Sequence, residues 1–241
     1  MNKNISGVGE VTTPSTPKEK IQNFWYHYKW HSLIALFLVI TTLVCSLQFC
    51  NRVEYDAYIL YAGNKNIGRT AQSGDVAEIV KVISALKRIT EDFDENDEIS
   101  VNFLNYYYLS KEEMSDNQNV NNALLASDQQ ALSSALEHSE YYLCFISPAV
   151  YEKYHQEGER EIFISLSEYR ATYQDIDFYS DCAINLSSTK AYSIPGLSNL
   201  PVDTLICIRQ PNYLANRSKE HTAHFNNAKK ILNNLLELEN S

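Results

Sequence analysis

The chain has 241 residues, of which 44% are hydrophobic and 12% aromatic, with 17 tyrosines. This composition is typical of a packed fold and disfavours a largely disordered chain. The formal net charge of −10 argues against nucleic-acid binding, which requires basic surfaces.

A helix start and a long apolar run come first in the chain. Thr16 can act as a helix cap, Pro17 fits the first helical turn, and Glu19 stands at the capping-box position. The run Ser32–Phe49 has 18 residues and no charged side chain. A bilayer core of about 30 Å is spanned by about 20 apolar residues in a helix. The sequence therefore predicts one juxtamembrane and transmembrane helix over residues 17–50, with 32–49 in the lipid bilayer.

Charge and aromatic residues on either side of the run predict its orientation. The residues before the run carry a net charge of +2, from four lysines and two glutamates, and those after it carry −12. By the positive-inside rule the N-terminus is expected in the cytoplasm and the main domain outside the cell membrane. Residues 1–16 are then a flexible cytoplasmic tail and 51–241 an extracytoplasmic domain. Four aromatic residues at the start of the run are typical of the membrane interface: Trp25, Tyr26, Tyr28 and Trp30.

The anchor is expected to remain uncleaved. Its lead-in of 31 residues is longer than the charged region of a secretory signal peptide, although cleavage near Ser46 stays an open alternative. A bacterial lipoprotein needs a small residue before the modified cysteine. Val44 before Cys45 and Phe49 before Cys50 do not fit that requirement.

The outer domain alternates between strand and helix patterns. Apolar strand patterns cover 53–62, 99–109, 141–146 and 202–209, and helical patterns cover 75–89, 117–137, 148–155 and 219–240. The segment 162–166 is apolar and 167–193 has no regular pattern. This alternation predicts an α/β layered domain with a mostly parallel central sheet. We expect its core to contain Ile59, Val80, Ile83, Val101, Phe103, Leu132, Leu143, Phe145, Leu205, Ile206, Ile208 and Leu232.

Two patterns raise the question of a metal site. The acidic run at residues 91–98 resembles a calcium loop, but an EF-hand has Gly at loop position 6 and Glu at position 12. Counted from Asp92, those positions hold Asp97 and Phe103, so a solvated loop is favoured. His221 and His224 lie three residues apart without an HExxH pattern or a cysteine partner. We therefore expect no metal and no cofactor.

The three cysteines of the outer domain, Cys144, Cys182 and Cys207, allow at most one internal disulfide bond. Cys144 and Cys207 stand in apolar runs, which favours buried free thiols.

Polar residues follow the predicted strands, and they form the candidate ligand site: Asn64, Ser110, Ser147, Arg209 and Asn212. In open α/β sheets, ligands bind beyond the carboxyl ends of the strands. Ser147 and Pro148 open a helix directly after a strand, and Arg209 could add a positive charge if the two strands are near neighbours. That arrangement would suit a small anion or a carboxylate. The alternative is that Ser147 only caps the helix and Arg209 pairs with a nearby acid.

Three segments carry a resemblance to a known family. They are YYLCFISPAVYEKY (Tyr141–Tyr154), LSEY (Leu166–Tyr169), and the final strand and long helix. Together they resemble one lobe of bacterial extracellular solute-binding proteins, which have the type 2 periplasmic-binding fold. The resemblance implies a strand that ends at a ligand cleft and runs into a short helix. The acidic loop before Ile99 also resembles that of short bacterial proteins of unassigned function that are anchored by a single helix.

The sequence thus predicts a membrane-anchored extracytoplasmic domain that is solute-binding-like or accessory. The alternative is a structural or interaction protein of a cell-envelope complex without a small-molecule ligand. The chain has no GxSxG, HExxH or phosphate-loop pattern and no SxxK leading into a helix, so we expect no catalytic residues and no enzyme activity. The expected partners are the lipid bilayer and either a small anionic solute or an envelope protein, but no nucleic acid.

Overall fold

The computed structural model describes residues 16–50, 54–67, 76–116, 121–157, 160–212 and 218–238. The chain divides into two compact units, Met1–Glu54 and Tyr55–Ser241. The predicted tail lies outside the described residues except for Thr16.

The first unit consists of helix α1, Pro17–Cys50, which is 34 residues long. Its part Lys20–Leu47 has a mean hydropathy of 2.0 in the most apolar window and could span a membrane. The hydroxyls of Thr41, Thr42 and Ser46 donate to carbonyls four residues earlier, at 2.8–2.9 Å. These three hydroxyls are therefore satisfied by the helix itself, as a lipid environment requires. The predicted apolar helix is confirmed.

The second unit is built on a six-stranded sheet with the order β2-β1-β3-β8-β7-β6. The strands are β1 (Ala57–Gly63), β2 (Val101–Tyr107), β3 (Leu143–Ile146), β6 (Phe178–Ser180), β7 (Ala183–Asn185) and β8 (Leu205–Ile208). A separate two-stranded ribbon pairs β4 (Gln156–Glu157) with β5 (Arg160–Glu161).

In the described residues of this unit, six helices accompany the sheet: α2 (Val76–Lys87), α3 (Lys111–Asp116), α4 (Asn122–His138), α5 (Pro148–Tyr154), α6 (Ser167–Thr172) and α7 (Lys219–Glu237). Three short 3-10 turns follow β7, at Leu186–Ser188, Lys190–Ser193 and Leu197–Asn199. Ser147 and Ser218 cap α5 and α7 with their hydroxyls, and Asn121 caps α4 with its amide oxygen.

Alternate residues of each strand point to opposite faces, and each face has its own hydrophobic core. Ile59 of β1 belongs to the core that includes α2, α7 and the 3-10 turns. Leu60, the next residue, belongs to the core that includes α4 and α5. The domain is therefore a three-layer α/β/α structure, and the predicted α/β class is confirmed.

The sheet is parallel on one side and antiparallel on the other. Strand β1 pairs in parallel with β2 and β3, whereas β8 pairs antiparallel with β3 and with β7. A parallel connection usually uses a crossover helix, but after β3 the chain forms the seven-residue α5, the β4–β5 ribbon, α6 and then the β6–β7 hairpin. This β6–β7 hairpin lies in the segment 167–193, which was predicted to be irregular. The segment 162–166 contributes only an isolated bridge between Phe163 and Arg209.

Nine of the twelve predicted core residues are buried, and Ile83 and Phe103 are partly buried. The prediction for Val80 is wrong, because its side chain is 54% exposed. The reason is the orientation of α2 against the turn at Gly196. A Cβ atom at Gly196 would lie 2.3 Å from the Lys81 carbonyl oxygen, so this turn fixes which side of the helix faces inward. The buried residues of α2 and its end are Val82, Ala85, Leu86 and Ile89.

Candidate ligand site at the carboxyl edge of the parallel strands

The candidate site lies at the carboxyl ends of β1 and β3. The chain segments that follow these two strands pass to opposite faces of the sheet. Helix α2 follows β1 and packs on one face, while α5 follows β3 and packs on the other. Strand β1 stands between β2 and β3. In open α/β sheets this topological switch point opens a crevice outside the carboxyl ends of the strands, where ligands bind.

Tyr61 places a hydroxyl at this edge. The residue is 1% exposed, and its ring stacks on Phe103 with centroids 6.5 Å apart. A Cβ atom at Gly63 would lie 2.7 Å from the Tyr61 hydroxyl and 3.6 Å from the Ser147 Cβ. The hydroxyl therefore lies at the end of β1, next to the residue that follows β3, and glycine leaves room for it.

The Tyr61 hydroxyl has no hydrogen-bond partner among the described residues. Burial raises the pKa of Tyr61 well above its ordinary value, so the group is a neutral donor. The nearby backbone of Lys65 partly offsets this rise in the pKa of Tyr61, although it and the Tyr61 hydroxyl do not have the geometry of a hydrogen bond. A buried unsatisfied hydroxyl costs about 1–3 kcal/mol, so its retention needs an explanation.

Asn64 and Ser110 lie together at this edge of the sheet because both contact Glu113. The Asn64 amide donates to Glu113 Oε1 at 2.7 Å, and the Ser110 backbone N–H donates to Oε2 at 2.7 Å. Burial alone would raise the pKa of Glu113, but the hydrogen bonds from Ser110 and Asn64 outweigh it and lower the pKa. The Glu113 carboxylate is therefore charged, and both of its oxygens already accept hydrogen bonds.

The neighbouring cation, the ammonium group of Lys65, also has partners within the protein. Its Nζ contacts Glu78 Oε1 at 2.8 Å and the Asn199 carbonyl oxygen at 2.7 Å. Lys65 thus links the loop after β1 to α2 and to a 3-10 turn, and its charge is paired.

Ser147 lies at the same edge, directly after β3. Its backbone N–H donates to the Ala62 carbonyl at 2.8 Å, and its hydroxyl accepts from the Val150 backbone at 3.4 Å. The hydroxyl proton is still available to a ligand. The structure therefore brings together Asn64, Ser110 and Ser147, three of the five residues predicted for the site.

Arg209 and Asn212 lie at the other end of the sheet. Arg209 follows β8, which runs antiparallel to β3, and its backbone N–H donates to the Tyr142 carbonyl. Along β3 its backbone is roughly 16 Å from Ser147, at about 3.3 Å per residue. The joint anion site of Ser147 and Arg209 is therefore not formed, because the strands are neighbours of opposite direction.

The Arg209 side chain is 1% exposed and serves the end of α4. Its guanidinium donates to the carbonyls of Tyr141 at 3.2 Å, Leu136 at 3.3 Å and Ser139. Asn212 donates to the Glu137 carbonyl at 2.9 Å. Both side chains donate hydrogen bonds to carbonyl groups at or just after the C-terminal end of α4. The last carbonyl groups of a helix have no donors within the helix.

Sequence reasoning missed Tyr61 and Glu113. The Ser110–Glu113 spacing matches a capping box, so this signal was present in the sequence. Tyr61 stands in a buried strand whose apolar pattern gives no indication of a functional hydroxyl.

Two groups of residues bring possible metal-ligand atoms within 4.8 Å of one another: Asp56 with Asp92 and Asp94, and Glu140 with Glu220 and His224. In the first, the buried Asp56 accepts from the backbone of Phe93, Asp94 and Ser100 and therefore organises the loop before β2. In the second, each residue also interacts with other groups of the protein. His221, on the same helix, contacts the Tyr142 hydroxyl at 2.9 Å.

Among the cysteines whose side chains the structure describes, Cys45, Cys144, Cys182 and Cys207 are free thiols. Burial raises the pKa of Cys144 to about 12, which keeps it protonated and unreactive.

Comparisons with protein-family models, with curated proteins and with solved structures find no match to this chain.

Proposed function

We propose that the chain is a membrane-tethered, non-catalytic domain that binds a small uncharged polar solute at the switch point between β1 and β3. One observation carries this proposal: the buried Tyr61 hydroxyl at the carboxyl edge without a partner among the described residues. A hydrogen bond from this hydroxyl to a bound solute would offset the cost of burying it.

The surroundings of Tyr61 favour an uncharged ligand over the small anion expected from the sequence. Lys65 is paired with Glu78, and Arg209 stands at the opposite end of β3. The hydroxyls of Tyr61, Ser110 and Ser147 can each donate and accept hydrogen bonds. Solutes with hydroxyl or amide groups match this set.

The proposal that this domain does not catalyse a reaction follows from the same lining. Its hydroxyls have no histidine beside them in the described part of the chain, and the Glu113 carboxylate is held by Asn64 and Ser110. An activated nucleophile needs a general base within hydrogen-bond reach.

We further propose that the anchor stays attached, with the N-terminus in the cytoplasm and the domain outside. The support is the lysine asymmetry around the apolar run and the exposed aromatic residues Trp25 and Trp30 near its start. Alkaline phosphatase fused after Ser241 is expected to be active, and a cytoplasmic reporter at the same place inactive. The reverse result would overturn the orientation.

Thermal unfolding of the full chain in detergent micelles tests the ligand proposal. The probes are glucose, glycerol and acetamide, each titrated to high millimolar concentration, with sodium acetate as the anionic comparison. An uncharged probe is expected to raise the melting temperature, since a ligand at 100 times its Kd adds about 2.7 kcal/mol. A shift by acetate alone would contradict the uncharged class.

Tyr61→Phe is the decisive variant. Without ligand it is expected to be as stable as the wild type or more stable by about 1 kcal/mol, because an unsatisfied hydroxyl is removed. It is also expected to lose the shift caused by the probe. Tyr179→Phe is the matched control, since that hydroxyl is at the surface and donates to Glu152. An unchanged probe shift in Tyr61→Phe would overturn the proposed site.

A wild-type chain that responds to none of the probes would favour the alternative, an envelope-complex protein without a solute ligand.

A further inference from the structure

A second concave surface lies away from the switch point, between α6 and the last turn of α7. Its first depression has a volume of about 310 Å³ and is lined by Glu168, Tyr169, Thr172, Tyr173, Asn233 and Glu237. A second depression of about 250 Å³ shares Thr172 and Tyr173, and its lining includes Asp175, Ile176, Lys190 and Leu236. The two depressions share Thr172 and Tyr173 as lining residues, and together we call them the Tyr173 groove.

The first depression is electrostatically negative. Glu168 and Glu237 line it, and among the described residues no basic side chain does. It also contains the C-terminal turn of the 19-residue helix α7, which has no basic residue. The C-terminal end of a helix carries a partial negative charge and favours cations. Glu237 adds a like charge at that end, so a bound cation would relieve an unfavourable arrangement.

The basic residues nearest in sequence are engaged elsewhere. Arg170 contacts Asp181 Oδ1 at 2.6 Å and lies over the Phe178 ring. Lys229 lies over Phe225, and Lys230 lies over Phe93. The negative potential of the first depression is therefore not cancelled by these side chains.

Tyr169 and Tyr173 give the depression aromatic walls. Both rings are half-buried and pack against the core beneath the groove. The Tyr173 hydroxyl donates to Glu237 Oε1 at 3.0 Å, which fixes the carboxylate beside the ring. Aromatic rings together with carboxylates bind organic ammonium groups by cation–π attraction and charge-assisted hydrogen bonds.

The second depression has a different character. Ile176 and Leu236 contribute apolar surface, and Asp175 and Lys190 contribute opposite charges. An alkyl chain that passes Tyr173 would contact this apolar surface while its ammonium group stays in the first depression.

From these contacts we infer that the Tyr173 groove binds a primary alkylammonium group, with the ammonium between Glu168 and Glu237 and the alkyl chain running past Tyr173. This site is independent of the solute site proposed above, because the two share no residues. Both a free linear amine and a lysine side chain of another protein present this chemistry.

Isothermal titration of the full chain in uncharged detergent tests the inference. The probes are 1,5-diaminopentane, its uncharged analogue 1,5-pentanediol, and an acetylated, amidated Gly-Lys-Gly peptide. The diamine is expected to bind, and the diol is not. Tighter binding of the peptide than of the diamine identifies a lysine side chain as the source, and the opposite order identifies a free amine.

The double variant Glu168→Gln/Glu237→Gln is expected to weaken diamine binding by at least about tenfold, through the loss of charge-assisted contacts. The matched control is Glu112→Gln/Glu152→Gln, which removes the same charge from exposed positions on α3 and α5. The control is expected to stay within about twofold, as expected for distant exposed charges.

Three results would overturn the inference. They are the absence of diamine binding to the wild type, equal binding of the diol, and equal weakening in the two double variants. Equal weakening would show that the negative charge of the whole domain attracts the amine without a defined site.

Discussion

Ser110 and Glu113 cap helix α3 reciprocally. The Glu113 backbone N–H donates to the Ser110 hydroxyl at 3.1 Å, and the Ser110 backbone N–H donates to Glu113 Oε2 at 2.7 Å. Because the other carboxylate oxygen accepts from Asn64, this cap also connects the loop after β1 with the loop after β2. The rim of the proposed solute site is thus fixed by one carboxylate.

We expect Glu113→Gln to lower the free energy of unfolding by about 0.5–1 kcal/mol at pH 7, the size of a typical cap. The pKa of Glu113 is lowered in the folded protein, so its stabilisation is present above the ordinary carboxyl pKa and is lost as the pH falls through the folded value. The difference between wild type and variant in urea unfolding should therefore shrink below pH 4. Glu112→Gln, one residue earlier, is the control. A difference that grows in acid would contradict the role of the carboxylate.

Arg209→Met should be strongly destabilising, by about 3–5 kcal/mol, because the carbonyls of Leu136, Ser139 and Tyr141 lose their buried donor. Arg170→Met removes an exposed ion pair with Asp181 and is expected to cost at most about 1 kcal/mol. Chemical unfolding followed by circular dichroism measures both. Similar losses in the two variants would show that Arg209 is not needed at the end of α4.

The orientation of α2 predicts opposite outcomes for two apolar residues on the same helix. Leu86→Ala should cost about 2–5 kcal/mol because Leu86 is fully buried. Val80→Ala should change stability by no more than about 0.5 kcal/mol, since Val80 is 54% exposed. Their melting temperatures give the comparison, and a larger loss for Val80→Ala would mean that the helix is rotated.

Gly196→Ala should destabilise the domain by about 2 kcal/mol or more. Its φ of +116° is one that side chains rarely adopt, and a Cβ atom would lie 2.3 Å from the Lys81 carbonyl oxygen. Adding Ala85→Gly to this variant should not restore stability, because the clash with Lys81 is with backbone. Restoration in a thermal melt would contradict the close approach of this turn to α2.

The sequence predicted the elements that repeat a simple period. The strand that contains Ile59 and the helix that contains Leu132 follow from periods of 2 and 3.6 residues, and both residues are buried. The orientation of α2 was not predicted, because Val80 and Val82 are equally apolar; in the structure the Gly196 turn approaches this helix at Lys81 and Ala85.

The candidate site could be predicted only in part, for a related reason. Asn64, Ser110 and Ser147 follow parallel strands, so the rule for strand ends brings them to one edge. Arg209 also follows a strand, but the direction of β8 depends on the hairpin that precedes it, and the short strands of that hairpin carry weak patterns. The Tyr61 hydroxyl could not be predicted as part of the site, because its importance depends on the residues that surround it in the fold.

The dependence of the end of α4 on Arg209 also limits when this helix end can be completed during synthesis. The donor is made 68–73 residues after the carbonyls that it serves. At about 5–20 residues per second, the ribosome needs roughly 4–14 s to supply it. In that interval β3 is completed beside β1 and β2, while its edge that will pair with β8 stays open. An open strand edge is a place where another chain can pair, so the edge of β3 is exposed to such pairing until β8 is made.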